Sequence, residues 1–167
     1  QSTDSRETQG ALTAGGQWVV LRGQDFGTKS ANAISGVTYG DNGEEFSSCE
    51  DGVYCKCDVI DDHETINCTT VSGAGSGHRW ILNIDGQDST APTTKYGAPV
   101  IEKLSGEGSM DASTAGNQQI TLTGYNFGPD DTYLSGVSYG PGGTEYKAED
   151  CHMLVPHFEI ECTTIAG

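Results

Sequence analysis

The side chains in this sequence best suited to chemistry are its six cysteines, and their spacing decides between two uses. Cys57 and Cys68 lie eleven residues apart, as do Cys151 and Cys162. Set as the ends of a hairpin with a two-residue turn, Cys57 faces Cys68, Asp58 faces Asn67 and Val59 faces Ile66, with the turn on Asp62-His63. The second pair sets Met153 opposite Ile160 and Val155 opposite Phe158, with the turn on Pro156-His157. Cys151, Met153, Val155, Phe158, Ile160 and Cys162 then share one face, and His152, Glu159, Glu161 and the one apolar exception, Leu154, share the other. Directly opposed strand residues come within disulfide range, so the expected bridges are Cys57–Cys68 and Cys151–Cys162. Cys49 and Cys55, which have no counterparts in the later pair, are each other's simplest partner. The rival use is zinc, held by Cys55, Cys57, His63 and Cys68, or by Cys151, His152, His157 and Cys162. Neither set has the Cys-x₂₋₄-Cys knuckle, and in the hairpin His152 points away from Cys151. Disulfides are the expected state, and they imply an oxidising compartment.

Other groups carry weaker signals. Asp58, Asp61, Asp62 and Glu64, or Asp130 and Asp131, are acidic clusters at turns that calcium would need, but without EF-hand spacing they read as solvated carboxylates. No Gly-x-Ser-x-Gly nucleophile elbow is expected, there is no phosphate loop ending in Gly-Lys-Ser/Thr and no His-Glu-x-x-His, and Gly73-Ala74-Gly75-Ser76-Gly77 lacks the lysine and helix that would make it a phosphate cradle. No catalytic residue, cofactor or metal is expected. Asn67-Cys68-Thr69 is an N-glycosylation sequon, and the hairpin register puts Asn67 on the face opposite the cysteines.

The elements that position these residues are written twice. Thr13-Ala14-Gly15 through Gly23 to Phe26-Gly27 returns as Thr114-Ala115-Gly116 through Gly124 to Phe127-Gly128. Ile34 to Gly40 returns as Leu134 to Gly140, and Cys68-Thr69-Thr70 as Cys162-Thr163-Thr164. The period matches a small domain rather than a solenoid turn. The organisation expected is a first domain over 1–90, a Ser/Thr/Pro linker over 91–97 and a second domain over 98–167. The second copy is preceded by an apolar run at Pro99 to Leu104 that the first largely lacks, and the first continues through Trp80 to Ile84 where the second stops. Both sandwiches are thus expected to be incomplete at the chain ends, within a longer repeat protein that supplies the missing strands, in cis or from a neighbouring subunit.

Comparing the copies also sorts the strand faces. Val19/Ile120 and Leu21/Leu122 are apolar in both and spaced two apart, as a half-buried strand requires. Trp18 and Val20 alternate out of that set and are replaced by Gln119 and Thr121. They are candidates for contact with a neighbouring module or partner chain.

Composition agrees with a β module. Glycine is 24 of 167 residues, apolar residues are 34%, and long helix-forming runs are absent. Cores this thin benefit from covalent staples. The net charge of −16 argues against nucleic-acid backbones and anionic lipid, leaving cations, basic proteins and neutral glycans. No stretch reaches the roughly 18 apolar residues of a membrane span.

The opening Thr13-x-Gly15-Gly16-x-x-Val19-x-Leu21-x-Gly23-x-x-Phe26-Gly27, the corner Gly124-Tyr125-Asn126-Phe127-Gly128-Pro129, the ending Ile66-Asn67-Cys68-Thr69-Thr70 and the strand Pro99-Val100-Ile101 resemble the IPT/TIG domain. The resemblance covers nearly all of both copies. It implies an all-β chain of two tandem immunoglobulin-like β-sandwiches, like those of plexin-type receptor ectodomains, fibrocystin-like surface proteins, Rel-type transcription factors and accessory domains of starch-active enzymes. Asn117 replaces the second glycine of the pair, and the Cys49/Cys55 insert lies outside the pattern. The family brings no catalytic residues. The leading expectation is a non-catalytic extracellular or cell-surface module for structure or adhesion, whose partners are other modules or copies of itself in an array or fibre. The alternatives are a ligand-binding receptor segment and a carbohydrate-binding accessory module with Trp18, Trp80, Tyr39 or Tyr139 as stacking residues.

Overall fold

The computed structural model describes residues 10–31, 33–47, 49–50, 54–55, 57–89 and 93–167, with 49, 50, 54, 55 and 93 described by backbone alone. The chain is all-β and divides into two compact units, residues 1–97 and 98–167. In the first unit it lays down β1 (Trp18–Arg22), β2 (Ile34–Gly40), the two-residue strands β3 (Phe46–Ser47), β4 (Cys49–Glu50) and β5 (Tyr54–Cys55), then β6 (Cys57–Asp61), β7 (Thr65–Thr69), β8 (Ser76–Ile84), β9 (Gln87–Asp88) and β10 (Thr93–Lys95). The second unit contains β11 (Val100–Ser105), β12 (Gln119–Tyr125), β13 (Ser138–Tyr139), β14 (Tyr146–Lys147), β15 (Glu149–Val155) and β16 (Glu159–Thr163), with short 3-10 turns at Glu107–Ser109 and Asp131–Tyr133.

In the first unit one antiparallel sheet runs β1-β7-β6 and another runs β10-β8-β2-β3, with β9 beside β8. Both give side chains to one core. Leu21, Ile66 and Cys68 come from the first sheet, and Val37, Tyr39, Trp80 and Leu82 from the second. The second unit repeats the first sheet as β12-β16-β15, adds β11 on its outer edge, and places the short pair β13-β14 beside it. Leu122, Phe127, Ala148, Ile160 and Cys162 form its core. The inward set expected for the repeated strand holds: Leu21 and Leu122 are buried, and Val19 and Ile120 pack against their cores.

The domain boundary moves. Residues 93–97, assigned from their Thr/Pro-rich neighbourhood to a linker over 91–97, belong to the first unit. Thr93–Lys95 pairs with β8, the amide of Ala11 donates to the carbonyl of Lys95 at 3.0 Å, and that of Gly97 donates to Ala11 at 2.6 Å. Tyr96 is 4% exposed and is a core residue. A threonine run reads equally as spacer or as strand, and here the backbone of β8 has claimed it. The expectation that the first copy lacks the start of its opening strand concerns residues 1–9, which lie outside the described residues.

The hairpin between the cysteines keeps its expected turn on Asp62-His63 but differs in the register beside it. Cys57↔Cys68, Asp58↔Asn67 and Val59↔Ile66 pair as the spacing requires, but the register then shifts and Asp61 meets Thr65. The turn is closed by the amide of Glu64 on the carbonyl of Asp61, at 3.2 Å, with His63 at φ 66°. In the second unit Phe158 donates to Val155 and His157 has φ 69°. Positive φ at the third position is that of a type II turn. The cause is the neighbouring corner: His63 exchanges hydrogen bonds with Phe26 and Gly27, and His157 does so with Phe127 and Gly128. The tip is held to the corner strand, so one residue, Ile60 or Leu154, bulges out. Val155 and Phe158 lie past the bulge and are exposed, contrary to their expected place on the cysteine face.

Corner glycines leave room for the plugging ring. A Cβ on Gly23 would stand 2.4 Å from the Phe26 ring. On Gly124 it would stand 1.9 Å from the carbonyl oxygen of Val100 and 2.9 Å from the Phe127 ring. Gly124→Ala is expected to cost about 1–3 kcal/mol by displacing β11, measured as a lower denaturation midpoint of the second unit. An unchanged midpoint would show that β11 yields freely.

One segment takes two states in one molecule. Ile34-Ser35-Gly36-Val37-Thr38-Tyr39-Gly40 is strand throughout and pairs with β8, setting Val37 against Leu82 and Tyr39 against Trp80. Leu134-Ser135-Gly136-Val137-Ser138-Tyr139-Gly140 is strand only at Ser138–Tyr139, whose partner is β14. Val37 and Tyr39 are sealed at 0% and 1% exposure, whereas Val137 and Tyr139 are half-buried. The local sequence is nearly the same, and the presence of a β8 makes the difference.

Candidate functional site

The cysteines meet as expected in both units. Cys57 and Cys68 are bridged with Cα atoms 4.0 Å apart, and Cys151 and Cys162 with Cα atoms 4.1 Å apart. Cys68 and Cys162 are sealed in their cores, so each bridge ties the hairpin through the apolar interior. The four sulfurs are not available as thiolate ligands. The backbone sets Cys49 opposite Cys55, while the Cys49–Cys55 bridge itself lies outside the described residues.

The acids at the turns bond to nearby amides instead of converging. Asp62 Oδ1 accepts from the amide of Lys29 at 2.9 Å, and Asp131 Oδ1 from that of Met153 at 2.6 Å. The hydroxyl and then the amide of Thr132 hold the Asp130 carboxyl below its usual range. Glu45 and Glu145 occupy equivalent turns; the amide of Asn42 for the one and of Thr144 for the other are the largest causes lowering their pKa. A lowered folded pKa adds stability above the unfolded value that is lost as pH falls through the folded one. Both groups lie on the surface, where water screens the effect. Among the described residues, no three of His, Cys, Asp and Glu come together as a metal set, and no helix is long and apolar enough to cross a membrane.

Of the aromatic stacking candidates, Trp80 and Tyr39 are core residues. Their rings stack at 4.3 Å, and Trp80 Nε1 donates to Thr94 Oγ1 at 2.7 Å. The tyrosines have a structural duty that the sequence does not announce. The Tyr39 hydroxyl accepts from the amide of Val71 at 2.9 Å and lies 2.6 Å from the Tyr96 hydroxyl; Tyr139 accepts from the amide of Ile165 at 2.9 Å. Each pins the segment leaving the Cys-Thr-Thr strand. Burial raises the Tyr39 pKa, against the smaller lowering effect of those bonds. A cleft of about 230 Å³ opens over Phe26 and Trp80, with Arg22, Gln24 and Ser89 in its walls.

Two further groups escaped the motif reading. Gly136-Val137-Ser138-Tyr139-Gly140 spells Gly-x-Ser-x-Gly, whose nucleophile stands on a strand-to-helix turn beside a histidine. Here the segment leads from strand to turn to strand, and the Ser138 hydroxyl donates to the carbonyl of Gly143 at 2.7 Å. His78 is 3% exposed inside a ring of Phe46, Tyr96 and Tyr39, and neither ring nitrogen has a hydrogen-bond partner. Its Nδ1 lies 3.6 Å from exposed Asp41. A histidine in an apolar strand pattern gives no sign that it will be sealed.

The remaining candidates form one surface. On the outer face of β1-β7-β6, Trp18 is 66% exposed and Val20 48% exposed, while Leu21 between Val20 and Arg22 is buried. Val20 pairs with Asn67, and Trp18 with Thr69. Trp18, Val20 and the sequon asparagine, singled out for separate reasons, therefore share one patch.

No family model matches the chain, and no curated protein does.

Proposed function

We propose that the chain is a non-catalytic extracellular module for structure and adhesion, two immunoglobulin-like sandwiches of IPT/TIG type that serve in a cell-surface array or fibre. The observation that carries this reading is the repeated staple: both units cross-link the same hairpin, in the same register, through the core. A disulfide retained at equivalent places in two thin cores is what an oxidising, exposed setting demands. Adhesion is supported by the β13 edge, where Ser138–Tyr139 pairs with β14 alone among the described residues while the equivalent segment of the first unit also pairs with β8. A strand of β8 chemistry, contributed from outside residues 98–167, completes that edge by antiparallel addition. Charge favours it, since residues 98–167 hold ten carboxylates against two lysines, whereas β8 carries Arg79 and His78 and no acid.

Titrating the whole chain with a synthetic peptide of residues 75–85 tests the reading. Saturable one-to-one binding is expected, with amide-exchange protection appearing at Val137 and Tyr139. Equal binding of a scrambled peptide, or binding without protection there, would reject strand addition.

A further inference from the structure

We infer that the exposed Trp18/Val20 patch is the seat of an N-linked glycan carried by Asn67, whose first N-acetylglucosamine ring lies on Trp18 and Val20. This deepens the extracellular reading above and rests on it. Asn67 lies between Val20 on β1 and Asp58 on β6, with Trp18 on the adjacent diagonal through its partner Thr69. Opposed side chains in a sheet stand about 4.5–5.5 Å apart and diagonal ones about 7–8 Å, within reach of one pyranose ring leaving the asparagine. Asn67 is half-buried, and its Oδ1 is sealed without a partner.

The second unit supplies the internal control. At the equivalent places it has Gln119, Thr121 and Glu161, and Gln119 Nε2 donates to Glu161 Oε1 at 3.3 Å. That face is polar and bonds across itself. Sequon, tryptophan and valine are present together in one copy and absent together in the other. A patch meant for a protein partner has no reason to travel with a sequon. A sugar does, because the C–H face of a pyranose is apolar and stacks on an indole, while its rim stays hydrated.

The modification balances with a donor of stated class. Asn67 Nδ2 forms a bond to C1 of the sugar, the C1–O bond of a polyprenyl-pyrophosphate-linked oligosaccharide breaks, and the pyrophosphate lipid and one amide proton leave.

The test uses the chain secreted from eukaryotic cells, its glycan trimmed to a single N-acetylglucosamine, beside Asn67→Gln, Trp18→Gln and the double variant. The protein has two tryptophans, and Trp80 is 1% exposed, so acrylamide quenching reports on Trp18. The single sugar is expected to reduce quenching of Trp18 and to raise the melting temperature of the first unit by about 4–8 °C. That gain is lost alike in Asn67→Gln and Trp18→Gln, with no further loss in the double variant, and Trp18→Tyr keeps most of it. An oxidised, secreted chain with Asn67 bare overturns the proposal. So does an occupied Asn67 with Trp18 fully quenchable, or a gain that survives Trp18→Gln. Protection of Trp18 that depends on chain concentration instead assigns the patch to a second copy and also overturns it. Failure of the extracellular reading looks different: the chain is retained in cells with Cys57 and Cys68 reduced.

Discussion

Trp80→Ala is expected to unfold the first unit while the second remains folded. Trp80 is the largest sealed side chain, stacked on Tyr39 with 12° between the planes and bonded to Thr94 on β10. Truncating a buried tryptophan costs about 3–5 kcal/mol, against a total of about 5–15 kcal/mol for a whole domain. The loss also frees β10, and with it Tyr96 and the clamp on Val71. Hydrogen exchange measured unit by unit checks this. Exchange at Val37 and Ile66 should approach that of an unfolded chain, with Leu122 and Ile160 unaffected. Protection persisting at Ile66 would mean that the β1-β7-β6 sheet stands without the opposing one.

The second large effect is expected from Cys151→Ala with Cys162→Ala. A bridge closing a short loop contributes about 2–4 kcal/mol, and the second unit has little else to draw on. Its 70 residues bury a short list of apolar side chains, and small domains bury proportionally less surface. The double change should make the second unit protease-sensitive at 25 °C. The equivalent change at Cys57 and Cys68 should weaken the first unit and leave it folded, because β8 still closes its core. Equal sensitivity of the two units would contradict the stabilising role given to β8.

What could be read from residues alone was the part that two copies could check against each other. Strand faces, cysteine pairing and the Phe-Gly corner each appear twice, and alternation with spacing settles them. The turn between the cysteines falls on Asp62-His63 as its spacing requires, but the strand register beside it is displaced by hydrogen bonds exchanged with Phe26 and Gly27, remote in sequence. The assignment of 93–97 as linker failed because threonine-rich composition says nothing of whether an edge nearby is vacant. Trp18 and Val20 were legible as outward, but their adjacency to Asn67 depended on pairing β1 with β7, which neither strand's own sequence states. His78 and the tyrosine clamps stayed hidden for the same reason: burial of a polar ring is decided by what closes over it.

The two states of the repeated heptapeptide have a consequence for how the molecule comes to its fold. Val37/Tyr39 and Val137/Tyr139 lie in nearly identical segments, so local sequence alone barely distinguishes them as acceptors for β8. Neighbouring modules with near-identical strands are prone to such cross-pairing. What breaks the tie is the chain that follows β8: Lys95 and Gly97 bond to Ala11, and Tyr96 bonds to the carbonyl of Val71. The segment that looks like a spacer thus fixes β8 within the first unit, because its own hydrogen bonds to Ala11 and Val71 can form only there.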